Sequence, residues 1–465
     1  MKGRNLWSYA PYKPLLRNVG DIYICRIAPN KNSICFEWLD IGAETYHVFC
    51  RKRNTVPFIC CGQTASSEFN IERLDADTDY EFYVQAGDKK SLVRLARTGE
   101  PVGTVVNYLH PDDTAYSFSG RYLCSPSLVR HPDGFLLASM DLFAGNHPQN
   151  LTLIFRSDDD GEHWHYVSEL MPCFWGKMFI HKGELYMLSC STEYGDLLIG
   201  KSTDGGKSFS APVALLRGSN GKNGNDGVHK NPQNVFVYKG RIYNTLEWGT
   251  WANKEYCHAA MVMSCDINDD LLVPENWSFS EPLKYDPNWP GTVDGTACGT
   301  IEGTLVCHPN GQLYNVMRYN ITSGKPPYGL VLAYKVNAED PDAPLEYSHA
   351  IKMPCNNSKF MIKYDSVSQQ YYSVVTRIDC EKRIHRRNLL SLMRSSDMEN
   401  WNLVCDLIDK REEDMEKVGF QYVDFEFEGE DIIYLCRTAL NNADSFHNSN
   451  YATFHRIKNF RDIES

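Results

Sequence analysis

Ser157-Asp158-Asp159-Asp160-Gly161-Glu162-His163-Trp164 returns downstream as Ser202-Thr203-Asp204-Gly205-Gly206-Lys207-Ser208-Phe209. A shortened copy is Ser396-Asp397-Met398-Glu399-Asn400-Trp401, and Ser264-Cys265-Asp266 with Trp277 reads as a fourth copy opened by an insertion. Each copy follows an apolar run such as Leu151-Thr152-Leu153-Ile154-Phe155-Arg156. The chemistry is that of a hairpin clamp. Ser and Asp side chains bond turn backbone, Gly takes the positive-φ position, and the terminal aromatic packs between sheets. Recurrence at roughly 45–65 residues is the period of a propeller built blade by blade.

Other units with Gly at a hairpin turn extend the pattern. They are Leu128–Ala138 around Asp133-Gly134, Val235–Tyr243 around Lys239-Gly240, and Leu305–Tyr314 around Asn310-Gly311. Helical periodicity is scarce, and the best helical candidate is the short, charged Arg411–Lys417. About 350 residues, from 105 to 465, leave room for five or six blades. Upstream, residues 20–98 contain β-rich runs: Ile22–Cys25, Ser33–Trp38, Tyr46–Cys50 and Tyr80–Ala86. Turn residues bound each of them, as a sandwich requires. With Trp38 as core aromatic and Leu74–Tyr80 shaped like a tyrosine corner, this segment resembles a fibronectin type III domain. That resemblance implies a spacer or contact module and no chemistry. Gly99–Gly103 reads as the linker, and residues 1–19 as an N-terminal extension.

The 465 residues exceed what one core usually supports, so two or more units are expected. A net charge of −12 argues against a broad nucleic-acid surface. No run approaches the roughly 18–20 apolar residues of a membrane span, and no signal-like apolar segment follows Met1–Trp7. The sixteen cysteines are scattered without zinc-finger spacing, which favours buried thiols in a reducing, cytoplasmic setting; a trimmed leader would reverse that expectation. No cofactor or metal is expected, and sequence leaves the oligomeric state open.

The boxes are similar to the Asp-boxes (BNR repeats) of the sialidase (neuraminidase) superfamily, and the resemblance extends to single residues. By that resemblance Tyr422, in Phe420-Gln421-Tyr422-Val423-Asp424, is the nucleophile, and Glu302, in Ile301-Glu302-Gly303, is its base. Arg318 and Arg387 match the second and third arginines of a carboxylate-binding triad, and Asp141 is the candidate acid. The chemistry is coherent. A phenol with a pKa near 10 needs an adjacent base. Being neutral until deprotonated, it approaches an anomeric centre that bears a carboxylate. Arginine offers that carboxylate a permanent bidentate fork. The chain departs from the family at the first triad arginine, where Cys124 stands. His229, Glu247 and His447 are weaker candidates for substrate contacts.

These features imply an all-β protein, a fibronectin-like sandwich followed by a five- or six-bladed sialidase-like propeller. Its expected function is retaining hydrolysis of a terminal, acidic sugar, with a glycan or oligosaccharide as partner. Two rivals use the same scaffold: a polysaccharide lyase or histidine-dependent glycosidase working through His229 or His447, and a glycan-binding propeller without chemistry.

Overall fold

The computed structural model describes Trp7 and residues 20–219, 224–253, 256–293, 295–322, 328–355 and 357–464. Apart from Trp7 the N-terminal extension lies outside these residues. Trp7 is fully buried, donates from Nε1 to the Pro172 carbonyl at 2.9 Å and meets Phe209 edge-on.

Two antiparallel sheets come first. One joins Ile24–Pro29, Ile34–Trp38 and Glu68–Ile71; the other is built on Tyr46–Lys52 and Asp79–Ala86. Alternation sets their facing surfaces. Tyr80, Phe82, Val84 and Ala86 point into one core with Phe36, Trp38 and Tyr46, while the residues between them are partly exposed. The Tyr80 hydroxyl accepts the Asp75 N–H at 2.9 Å, pinning the entry to its strand. Two buried arginines tie this unit to the segment at 105–113. Arg26 donates to the Val106 and Val105 carbonyls at 2.9 and 3.1 Å, and Arg94 pairs with Asp113 at 2.7 Å.

Among the described residues six antiparallel sheets then succeed one another along the chain. Their first strands are Tyr122–Arg130, Phe174–His181, Gly227–His229, Gly295–Cys307, Ile362–Asp365 and Gly419–Glu428. In the third sheet Phe236–Tyr238 prolongs the role of Gly227–His229, both pairing with Arg241–Gly249. The last sheet takes its outermost strand from the front of the chain: Thr104–Tyr108 pairs antiparallel with Tyr451–Ile457. That pairing ties the two ends of the ring together. The expected helix at Arg411–Lys417 is a run of turns instead, with the Lys417 and Val418 N–H groups both bonded to the Asp414 carbonyl. Seven residues are too few to propagate a helix without packing.

Three of the repeated turns have one hydrogen-bond pattern. Ser157 Oγ donates to Asp159 and accepts the Gly161 N–H, while Asp159 accepts the His163 N–H. Ser202, Asp204, Gly206 and Ser208 repeat this at 2.8 to 2.9 Å. In the shortened copy the serine is Ser395, not Ser396, and it bonds Asp397 and the Met398 N–H. The serine-to-aspartate spacing is kept, and the missing residue falls after Asp397, so the N–H that bonds the serine comes from the third residue on and not the fourth. At the fourth copy the Ser264 hydroxyl instead takes hydrogen bonds from Arg241, and Trp277 donates to the Leu271 carbonyl.

Trp164 is fully buried, donates to the Gly161 carbonyl and packs on Phe454 of the closing sheet. Trp164→Ala is expected to cost about 3–5 kcal/mol, against about 1 kcal/mol for Ser157→Ala. Denaturant unfolding of the two variants measures the difference.

Candidate active site

The inner strands share a local device. Register breaks occur at Cys124/Ser127, Phe174/Lys177, Ile301/Thr304 and Gln421/Asp424. Inside each break one non-glycine residue has positive φ: Ser125 at 46°, Trp175 at 54°, Glu302 at 58° and Tyr422 at 57°. Such bulges re-aim a side chain. A non-glycine residue held at positive φ costs on the order of 1–3 kcal/mol and persists only where its surroundings fix it. Four bulges at corresponding places turn side chains of separate sheets toward one another at the axis.

A floor of buried polar groups lies two residues beyond the bulges. Lys177 Nζ donates to Asp424 at 2.5 Å, and Asp424 also accepts the Leu128 N–H at 2.7 Å. Lys359 donates to the Val423 carbonyl at 3.1 Å. Burial pulls the Lys359 ammonium down to about 7.

Tyr422 and Glu302, 120 residues apart, are in direct contact: the phenol donates to Glu302 Oε1 at 2.6 Å. Arg318 Nη1 bonds Glu302 Oε2 and also donates to the Tyr422 oxygen at 3.2 Å. Both members of the pair are nearly buried, at 9% and 4% exposure. Burial raises Glu302, but the Arg318 guanidinium and the hydrogen bond from the Tyr422 phenol pull the other way, so its carboxyl lies below the usual range. Burial and the Glu302 charge push Tyr422 up to about 12, against the pull of three guanidiniums. At neutral pH the pair is therefore phenol and carboxylate, with the proton poised to cross as the phenol oxygen acquires a new bond. The adjacent glycines serve packing. A Cβ on Gly303 would sit 2.0 Å from Asn315 Oδ1, so the strand closes on its neighbour only with glycine there.

Arg387 stands over the Tyr422 ring, 5.7 Å from its centroid, bonded to Gln421 and to the Asn357 carbonyl. Arg437 is a residue that sequence reasoning missed. Its guanidinium lies 5.1 Å from the same centroid and donates to Cys124 Sγ at 3.2 Å. The thiol at the expected arginine position thus touches an arginine supplied by the second strand of the last sheet. A motif search has no access to it, because the residue enters from another strand. Arg387 and Arg437 are both buried, and neither Nε has a hydrogen-bond partner among the described residues. Burial and the other two arginines bring Arg387 down to about 9, still cationic at neutral pH. Three guanidiniums thus face one carboxylate, an excess of buried positive charge that an anion would relieve.

The remaining candidates fall around this centre. His229 Nδ1 and Glu247 Oε2 are 2.7 Å apart, and the His229 ring packs 4.3 Å from Trp175. His447 offers its carbonyl to Arg437 at 2.5 Å while its ring meets Phe143. Asp141 is fully buried. Its oxygens accept the Thr152 hydroxyl at 2.5 Å and the Trp175 N–H at 2.6 Å, and burial pushes its carboxyl up to about 7. These bonds make it a brace between the first bulge and the second. No disulfide links any of the cysteines among the described residues.

No protein-family model and no curated protein matches the chain. Solved structures do. Hadza microbial sialidase Hz136 superposes with a TM-score of 0.50 at 11% identity, over 94% of each chain. An α-L-arabinanase of Penicillium chrysogenum, solved with arabinobiose, gives 0.49 at 14% identity over 78% of this chain and 100% of its own. The leech intramolecular trans-sialidase gives 0.47 at 9% over 98% and 96%. At such identities the likeness shows the fold alone, a sialidase-like β-propeller.

Replacing Glu302 by Gln removes the anion that raises the Tyr422 phenol and leaves the three arginines. One tyrosine is then expected to ionise at lower pH than in the wild type, read by ultraviolet difference titration. Identical titration curves would mean that the two groups are not coupled.

Proposed function

We propose that this chain is a six-bladed, sialidase-like exo-glycosidase acting on a terminal sugar that bears a carboxylate, carried behind a fibronectin type III-like module. The observation that carries this reading is the 2.6 Å Tyr422–Glu302 hydrogen bond beneath guanidiniums with unused donors. Tyr422 attacks the anomeric carbon while Glu302 takes its proton, forming a tyrosyl–sugar intermediate that water then hydrolyses with retention. Arg318, Arg387 and Arg437 bind the carboxylate of the sugar, Arg437 standing in for the arginine that Cys124 replaces. The leaving oxygen takes its proton from Asp141. With a pKa of about 7 that carboxyl stays protonated up to neutrality, as a general acid requires. It must exchange Thr152 or the Trp175 N–H for the leaving oxygen.

The hydrogen-bonded His229–Glu247 pair supports a second reading. His229 would remove the proton next to a uronate carboxylate and split the chain by elimination. The products differ: elimination leaves an unsaturated sugar absorbing in the ultraviolet, and hydrolysis does not.

The test is a panel of acidic and neutral glycosides read by mass spectrometry. Release of an acidic monosaccharide is expected from the wild type, with a loss of about 10²–10⁴-fold in Glu302→Gln and no turnover in Tyr422→Phe. Full activity of Tyr422→Phe would refute the mechanism. Arg437→Gln is expected to weaken kcat/KM about 10–100-fold for an acidic sugar, the value of one charge-assisted contact. A neutral analogue should lose little.

The pH profile tests the acid. Because Asp141 must be protonated to act, kcat/KM should fall as pH rises through about 7. That limb should vanish with Asp141→Asn. A limb that survives the substitution assigns the proton to another group.

A further inference from the structure

Cys257, His258 and Cys298 meet at the contact between the third and fourth sheets. Cys257 and His258 stand where His258–Asp266 begins, and Cys298 lies on Gly295–Cys307, four residues before Glu302. All three are buried, and one donor atom from each lies within 4.8 Å of the others. Cys257 Sγ and His258 Nδ1 are 3.3 Å apart. Zinc bonds sulfur at about 2.3 Å and imidazole nitrogen at about 2.0–2.1 Å, so tetrahedral donors on one ion lie roughly 3.3–3.8 Å from each other. The Cys257–His258 pair is at that spacing, and the Cys298 donor lies within 4.8 Å of both.

A second observation bears on the ring. His258 Nε2 lies 3.2 Å from the Tyr194 hydroxyl, which is held in turn by the Trp251 N–H at 2.9 Å. A ligating histidine characteristically donates its other N–H to a fixed acceptor, which sets its tautomer and orientation. Here that contact turns Nδ1 toward the sulfurs.

We infer that Cys257, His258 and Cys298 form a site for one thiophilic divalent cation, zinc by its chemistry, with a fourth position for water. Two thiolates and a neutral imidazole cancel the charge of the ion, so burial carries no net penalty of charge. Softer sulfur donors select zinc over magnesium or calcium. The ion would staple the third sheet to the fourth and fix the strand that carries Glu302. This site does not depend on the proposed hydrolysis.

The test loads the metal-stripped full chain with zinc alone, in competition with a chromophoric chelator, and with cobalt. One zinc per chain is expected, together with a thiolate-to-cobalt charge-transfer band. Both should be lost in Cys257→Ser and Cys298→Ser and kept in Cys60→Ser, a change at an exposed thiol elsewhere. X-ray absorption of the zinc-loaded wild type should find two sulfur neighbours, a reading that needs no variant to fold. A shell of oxygen and nitrogen only, binding unchanged in the double serine variant, or a Cys257–Cys298 disulfide in the native protein would each overturn the inference.

Discussion

The pairing of Thr104–Tyr108 with Tyr451–Ile457 is the constraint on which the molecule depends. A sheet whose outer strand comes from far upstream in the chain is complete only when the ring has closed. Closure brings the last sheet, with Tyr422 and Arg437, against the first, with Cys124 and Asp141. The Arg437–Cys124 contact, spanning 313 positions, exists only in the closed ring. The Tyr422–Glu302 bond likewise spans sheets that never adjoin in sequence.

Electrostatics at the axis follows from that closure. Inner strands converge, so polar groups that would be solvated on an isolated sheet are buried together. In the floor the charges are partly matched, Lys177 with Asp424, and burial draws Lys359 toward neutrality. One layer above, positive charge is in excess, and Arg387 and Arg437 retain buried donors with no partner among the described residues. Buried donors without acceptors are rare in folded proteins because each costs about 1–3 kcal/mol. The two guanidiniums flank one aromatic ring, that of Tyr422.

The bulges explain why a regular fold tolerates this arrangement. A strand of strict alternation would send Glu302 and Tyr422 to a sheet face, into the packing between blades. The extra residue and positive φ redirect each toward the axis, at a local cost spread over several sheets. Asp141, whose carboxyl receives the Trp175 N–H, helps hold one such bend in place.

The repeated Ser–Asp–Gly–aromatic turns and the alternating runs determined the β-rich, repetitive architecture by themselves, because hairpin chemistry is local: a serine hydroxyl reaches the next few N–H groups whatever the rest of the chain does. The order Glu302, Arg318, Arg387, Tyr422 was likewise readable along the chain. Only the tertiary structure decided that Arg437 fills the space beside Cys124, that Asp141 is enclosed by Thr152 and Trp175, and that Cys257, His258 and Cys298 gather into one cluster. Those contacts join separate strands. Their distances are set by ring closure and bulge geometry, which no spacing in the linear sequence encodes.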